Sequence, residues 1–387
     1  RSTFVIGITC TISSTFSVSI VLSFSSCGTK QEGWYTEGEI TLTKAEVESI
    51  VNAEYTAPKN VILIIGDGMG PNDIALAEKH INGVYDFGLV LNQIKNHGLC
   101  TTHCANNEIT DSAAAGTALA TGTKTNKGYI GKDINGNDLK NLAEIARENG
   151  KKVGIMTDES LSGATPTAFV AHNISRDNRK ELINAMVKFK PDVLMCEGYN
   201  DVYAPLDSEA KNIFRNEYLV AKDFTQFKTA LDSDKENTKP FFGFLNRYSS
   251  TATYNLANCT EVALKRLQNE NGFFLMVESS GTDKYGHDKH INGKLNGVLT
   301  LDRTVAAVLK FMKNNPDTLL VITSDHETGG IKLPTDNKIS NDLFTTDYHT
   351  ATPVGVYALG KASEYFNSKT VDNTDIAKFL ISAVKGE

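Results

Sequence analysis

The sequence lacks a basic tract: 39 lysines and arginines are scattered among 46 acidic residues, for a formal net charge of −7 over 387 residues. Binding along a phosphate backbone relies on clustered Lys and Arg, so no nucleic-acid partner is expected. A run of about 20 apolar residues, the length a helix needs to cross a bilayer, is also missing. The apolar stretch from Phe16 to Phe24 is too short for that purpose. Cys100 and Cys104 have no second Cys or His pair at suitable spacing, which argues against a thiolate zinc site there. There are no internal repeats and no low-complexity linker. No G-x-S-x-G elbow surrounds Ser112, so a hydrolase triad built on that serine is disfavoured. What remains is the composition of an ordinary globular protein, long enough for two or three domains, although large α/β enzymes often form one.

The N-terminus differs from the rest. Residues Ser2 to Thr29 carry no charge and are rich in Ser, Val, Ile and Phe. The pattern fits the apolar region of a secretory signal better than a membrane span, with a buried strand or anchor as the alternative. It ends in Phe24-Ser25-Ser26-Cys27-Gly28, which resembles a bacterial lipoprotein cleavage box with Cys27 as the lipidated residue, although Phe24 stands where Leu is usual. The expectation is an exported protein, periplasmic or attached to the outer membrane through Cys27, with residues 1–27 as the signal segment. Loss of Cys10 and engagement of Cys27 leave Cys100, Cys104, Cys196 and Cys259. The first two are close enough in sequence for a disulfide in an oxidising compartment, and equally compatible with two small buried side chains.

Beyond a short amphipathic stretch at Lys44–Ala53, apolar runs alternate with helical patterns. Asn60–Gly66, Lys152–Thr157, Pro191–Cys196, Phe273–Val277 and Thr318–Thr323 are β-branched and continuous, as in strands buried on both faces. Helical patterns at Leu139–Asn149, Arg179–Lys190 and Leu295–Asn314 separate several of them. The alternation predicts an α/β three-layer sandwich, with a central mostly parallel sheet and helices on both faces. Residues 197–258 are the least patterned and are read as an insertion or irregular flank. In such sheets the reactive groups stand where strands end.

They do so here. The first run ends in Asp67; the run at 273–277 ends in Glu278, with Asp283 and His287 following; the run at 318–323 leads into Asp325 and His326; and His349 precedes the apolar Pro353–Leu359. Any one carboxylate after a strand is commonplace, but this convergence is not. Imidazole and carboxylate without thiolate suit zinc in open catalytic sites. Asp283 and His287 are one helical turn apart and would share a face. Ser112, in the small-residue run from Thr110 to Thr117, has no base beside it in sequence, and a serine hydroxyl must be activated by a base or a metal. The alanines after it should form a helix that Ser112 opens, whose first amides favour phosphate.

Gly66-Asp67-Gly68-Met69-Gly70, Thr110 to Ala118, Ala164-Thr165-Pro166, Ala171-His172, Arg176, Val277-Glu278, Asp283-Lys284, His287, Ser324 to Gly330 and His349, in this order, resemble the alkaline phosphatases. The resemblance implies one catalytic domain over residues 28–387 and a metal-dependent phosphomonoesterase with a phosphoserine intermediate at Ser112. It implies one zinc held by Asp283, His287 and His349, and a second held by Asp67, Asp325 and His326 and reached by Ser112. A magnesium ion would take Asp67, Thr165 and Glu278. Arg176 would clamp the phosphate with its planar fork, and Lys284 would reach it through water. Small phosphate monoesters are the implied substrates, and a homodimer is compatible with the family.

Three departures stand out. Gly163 occupies a position where the family usually carries Asp or His beside the magnesium site. Ser279-Ser280-Gly281-Thr282 replaces a Gly-Gly-Arg-Ile-like loop. The modest length leaves no room for large crown-like insertions, so the family's usual dimer contacts are not expected. The other readings are a phosphodiesterase of the same superfamily and an inactive relative that keeps its metals. Glu278, Thr165 and Arg176 together favour the monoesterase. No Cys/Ser-x-Pro-x-Arg context of a sulfatase occurs near Ser112.

Overall fold

The computed structural model describes residues 42–80, 87–222, 224–234, 236–245, 255–336 and 338–387. The signal-like segment, with Cys10 and Cys27, lies outside the described residues. No helix among those described is long and apolar enough to cross a membrane.

The strands in chain order are β1 (Asn60–Gly66), β2 (Asn96–Thr101), β3 (Lys152–Ser160), β4 (Val193–Glu197), β5 (Leu219–Ala221), β6 (Phe241–Leu245), β7 (Phe273–Ser279), β8 (Thr318–Thr323), β9 (Glu327–Thr328), β10 (His349–Thr350), β11 (Val354–Leu359) and β12 (Thr370–Asp372). Ten of them form one sheet in the order β12-β2-β11-β8-β1-β7-β3-β4-β6-β5, and β9 and β10 form a separate ribbon. Only β11 among these ten runs against its neighbours; β1, β3, β7 and β8 at the centre are parallel. The expected α/β sandwich is therefore the fold of the chain.

The continuous apolar runs are explained by the two layers that cover the sheet. Ile62 and Ile64 of β1, Leu275 and Val277 of β7 and Leu320 and Ile322 of β8 pack with Leu295, Val298, Leu301 and Val305 of the long helix Ile291–Met312. Val61, Leu63 and Ile65, with Phe274, Met276, Leu319 and Val321, point the other way. They pack with Leu119, Leu142, Ile183, Ile376 and Leu380 from helices on the opposite face. Period-two alternation is invisible because both faces are buried. Each such side chain contributes about 1.5–3 kcal/mol.

One reading is corrected by the structure, and one left open between two alternatives is decided. Residues 197–258 are not an irregular flank: they include two strands, β5 and β6, at one edge of the sheet, with the helices Tyr199–Tyr203, Ser208–Asn216 and Phe224–Ser233 around them. Phe241 to Leu245 was obscured because Gly243 interrupts the run, and a Cβ at that glycine would meet the Phe227 ring at 2.5 Å. Cys100 and Cys104 are free and buried. Cys100 faces the core from β2, while the Cys104 thiol lies 3.2 Å from the Asn107 carbonyl oxygen, so each has local partners instead of the other.

The helix Gly281–His287 leaves β7 and lies against Ile291–Met312 with almost no space between the backbones. A Cβ on Gly297 would come within 2.6 Å of Thr282 N and 2.9 Å of Gly281 C. Helix propensity alone favours alanine over glycine by about 1 kcal/mol, yet Gly297→Ala must push the shorter helix off its seat. A net destabilisation of about 1–3 kcal/mol, typical of overpacking, is expected in denaturant unfolding. A stabilised variant would mean that the two helices are not held in contact.

Candidate active site

The sheet register brings the carboxylates to one level. Ile65 pairs with both Glu278 and Thr323, and Thr157 pairs with Glu278 from the other side. Asp67 therefore stands just beyond β1, Glu278 within the last turn of pleat of β7, and Asp325 just beyond β8. All three are buried. The loop Gly66–Gly70 is tied across the sheet end. Asp67 N donates to Ser279 O (3.0 Å), Gly68 N to Asp325 Oδ1 (3.1 Å) and Met69 N to Ser324 Oγ (3.0 Å). Gly68 has φ +67°, and a Cβ there would stand 2.6 Å from Thr328 Oγ1 and 2.8 Å from Asp283 Cα, so the loop's conformation and its close approach both require glycine.

A buried cation beneath this loop joins the parts. Lys294 Nζ donates to Gly68 O (3.0 Å) and Thr282 O (3.2 Å) and pairs with Asp73 (3.1 Å), both side chains being fully buried. It thus ties the residue after Asp67 to the residue before Asp283. Lys294 lies just before the helical pattern read at Leu295–Asn314, and nothing in the sequence singles it out.

Two clusters of ligand-type atoms result. In the first, His326 Nε2 lies 3.2 Å from Asp325 Oδ2, 3.6 Å from Asp67 Oδ1 and 3.2 Å from Ser112 Oγ. In the second, Asp283 Oδ1, His287 Nε2 and His349 Nε2 lie 3.2–3.5 Å from one another. The clusters adjoin, since Asp283, His326 and His349 also offer atoms within 4.8 Å of one another. Ligands about 2.0–2.2 Å from a tetrahedral ion are about 3.3–3.5 Å apart, which is the spacing seen in both.

Hydrogen bonding on the far side of each imidazole fixes its tautomer. His349 Nδ1 donates to Thr110 O (2.9 Å) and His287 Nδ1 to Asp347 O (2.7 Å), because a carbonyl only accepts. His326 Nδ1 lies 3.2 Å from Thr328 Oγ1, whose own proton goes to Asp283 Oδ1 at 2.6 Å. With each Nδ1 committed to that bond, the Nε2 atoms face one another and the carboxylates, where a proton, held more tightly on His287 by its hydrogen bond with Asp283, or a cation can satisfy them.

The serine is not part of a triad. Sequence shows no histidine near Ser112, and the fold brings one from 214 residues away. In a Ser-His-Asp system the acid orients the nitrogen that does not face the serine. Here Asp67 and Asp325 crowd the same Nε2 that faces Ser112. Burial and then the neighbouring His349 hold His326 well below its ordinary pKa, keeping the ring neutral as a metal ligand must be.

A third group involves Asp67, Thr165 and Glu278. Asp67 Oδ1, Thr165 Oγ1 and Glu278 Oε1 are buried without a hydrogen-bond partner. The Thr165 hydroxyl is nevertheless close enough to Glu278 to favour its charged form. Hard oxygen donors of this kind suit Mg²⁺, and buried orphan oxygens do not persist without cause. Burial, then the charges of Asp325 and Asp283, push Asp67 well above the usual carboxylate range. Burial and then Glu159 do the same to Glu278, and burial with Asp283 takes Asp325 to about 6. Asp283 goes the other way: burial opposes its charge, but hydrogen bonds with His287 and His349 prevail.

Arg176 and Lys284 flank the clusters. Arg176 Nη1 donates to Asp111 Oδ2 at 3.2 Å, and Asp111 also caps the helix Ser112–Thr121 by accepting from Ala114 N (3.1 Å). The arginine is therefore anchored on the residue next to Ser112, at the helix start expected from the alanine run. Lys284 Nζ pairs with Glu159 Oε2 at 3.5 Å. All the residues singled out in the sequence converge on one rim of the sheet. Thr328, Asp111, Thr282, Lys294 and Glu159 join them without having been assigned roles, though the first three lie inside the runs already noted.

Comparison with known proteins gives a consistent family. The alkaline phosphatase family model matches residues 58–203 and 228–342. Alkaline phosphatase 4 of Bacillus subtilis (strain 168) is 34% identical over 313 residues, covering 76% of this chain and 66% of that protein. Alkaline phosphatase of Escherichia coli (strain K12) is 26% identical over 342 residues, 72% of each chain. The structure of alkaline phosphatase from the Antarctic bacterium TAB5 superposes with a TM-score of 0.73 at 29% identity, covering 86% of this chain and 99% of that one. A variant of the TAB5 enzyme, solved with magnesium in its M3 site, gives 0.74 at 28% identity, with the same coverage.

The raised carboxylates set a pH dependence for the metal-free protein. Asp67 and Glu278 ionise normally near 3.8 and 4.5 once unfolded, so the folded state holds protons more tightly, and its stability falls as pH rises towards their folded values. His326 has the opposite sign but contributes only below about pH 6.5, its ordinary pKa. Above about pH 6.5 the metal-free protein should therefore lose melting temperature as pH rises until those carboxylates ionise, and Zn²⁺ with Mg²⁺ should flatten that slope. A slope unaffected by metal in calorimetric melts would show that these carboxylates do not face bound cations.

Proposed function

The chain belongs to the alkaline phosphatase family, and from that premise we propose that it hydrolyses phosphate monoesters to an alcohol and inorganic phosphate through a phosphoserine at Ser112. The observation that carries the reading is the convergence of Ser112 Oγ, Asp67 and Asp325 on one bare imidazole nitrogen of His326. A hydroxyl placed among metal-ligand atoms is activated by the ion they hold.

Asp67, Asp325 and His326 would hold one zinc; Asp283, His287 and His349 the other; Asp67, Thr165 and Glu278 a magnesium, with Asp67 shared. Bound there, divalent ions supply the positive charge that favours the Ser112 alkoxide and stabilises the departing oxygen. Ser112 Oγ then attacks phosphorus in line, the P–O bond to the alcohol breaks, and the phosphate is carried on the serine until water displaces it. Arg176, held in place by Asp111 and Gly128, presents its fork to two phosphate oxygens. The open helix start at Ser112–Ala113 adds backbone amides for the same anion. Lys284 would reach phosphate through water. The uncharged Ser2–Thr29 stretch with Cys27 supports an exported, lipid-anchored location.

A monoester leaves three oxygens for Arg176 and the metals, and a diester has one replaced by a second alcohol. Fully metallated protein is expected to turn over p-nitrophenyl phosphate at alkaline pH far faster than bis-p-nitrophenyl phosphate. Ser112→Ala should abolish the trapped phosphoenzyme and cut turnover by orders of magnitude while leaving bound zinc near two per chain. The reverse substrate preference would point to a diesterase, and turnover that survives Ser112→Ala would remove the serine from the mechanism.

A further inference from the structure

Gly163 stands two residues before Thr165 of the third metal group and has no side chain to offer. Its backbone does not demand glycine, since φ −53° and ψ 146° are open to any L residue. Space is what is taken. A Cβ built on Gly163 would stand 2.0 Å from Glu159 Oε1 and 2.9 Å from Glu159 Cδ. The carboxylate of Glu159 therefore fills the volume into which a residue at 163 would project.

Glu159 arrives from the far end of β3, whose ladder with β4 shifts register between Met156 and Ser160. One turn of chain separates it from Thr165. Its backbone N donates to Thr157 Oγ1 (3.2 Å), and that hydroxyl in turn donates to Glu278 Oε2. Its second oxygen pairs with Lys284 at 3.5 Å. Its backbone is thus linked through Thr157 to Glu278 of the magnesium-type cluster, and its carboxylate meets Lys284 directly. Its side chain is 18% exposed, whereas Asp67, Thr165 and Glu278 present fully buried orphan oxygens. Glu159 thus sits at the rim of the cluster. Mg²⁺ keeps several waters in its octahedron, and those waters need acceptors at that distance.

We propose that Glu159 is a positioning residue of the third metal site, supplying from β3 the carboxylate that position 163 lacks: it accepts from the water shell of an Mg²⁺ held by Asp67, Thr165 and Glu278, and it fixes Lys284. The inference rests on the three-metal reading above and concerns metal affinity rather than turnover, so it can fail alone.

The test is calorimetric titration of Mg²⁺ into zinc-loaded protein. Glu159→Gln, which keeps size and removes charge, is expected to weaken Mg²⁺ binding about 10- to 100-fold with zinc content unchanged. Replacing Glu159 by Ala should weaken it similarly. Adding Gly163→Asp to that variant places a carboxylate in the vacated volume, where Ser160 O at 3.1 Å is the next neighbour, and should restore most of the affinity. Wild-type Mg²⁺ affinity in Glu159→Gln, or a double variant no tighter than Glu159→Ala, overturns the proposal. So does a wild-type zinc form that takes up no Mg²⁺. That last result leaves the serine-phosphate reading intact, since trapping of phosphate on Ser112 reports on it separately.

Discussion

Burial of carboxylates at the end of the sheet, with like-charged neighbours adding to it, is the constraint on which this molecule is organised. Asp67, Glu278 and Asp325 are held at one level by the ladder of β1, β7 and β8, deep enough that water cannot screen them. The backbone of three parallel strands cannot relax to separate them. In a medium of low dielectric such a group either takes up protons or takes up cations. The first outcome is seen in the raised pKa of each; the second is what the aligned Nε2 atoms and orphan oxygens are built to meet. Lys294 serves the same need from below. It is a cation supplied by the chain itself, already paired with Asp73, that holds the two ligand-bearing loops together.

Much of the site was legible because of where the fold places chemistry. A parallel sheet buried on both faces writes each strand as an unbroken apolar run, and a polar residue directly after such a run lies at the functional edge. Asp67, Glu278, Asp325 and His326 were readable for this reason. Asp283 and His287 were readable from helical spacing. The roles of Arg176 and Thr165 came with the family resemblance, since nothing local distinguishes them, whereas His349 was readable from the apolar Pro353–Leu359 that follows it. Gly243 broke the pattern of β6, and local contacts decided the fate of Cys100 and Cys104.

What stayed hidden shares a physical cause. Thr328 and Lys294 act by holding other groups in place, and a main partner of each is distant in sequence: Asp283 is 45 residues from Thr328, and the Gly68 carbonyl 226 residues from Lys294. Amino-acid type says little about such a role. A lysine in a helix is usually solvated, and only the structure shows this one without exposure. Gly163 was the visible gap, but the group that fills its space belongs to a residue four positions earlier.

The three histidines differ in what orients them. His287 and His349 are held by main-chain carbonyls, those of Asp347 and Thr110. Those acceptors exist whatever residue occupies the position, so sequence drift at 347 or 110 leaves the anchor in place. His326 depends on a side-chain hydroxyl, Thr328, which also serves Asp283. Heritable variation can therefore reach the geometry of this centre through position 328 far more readily than through the other two anchors. Because that hydroxyl touches both clusters, one nucleotide change there would shift two sets of ligand-type atoms at once.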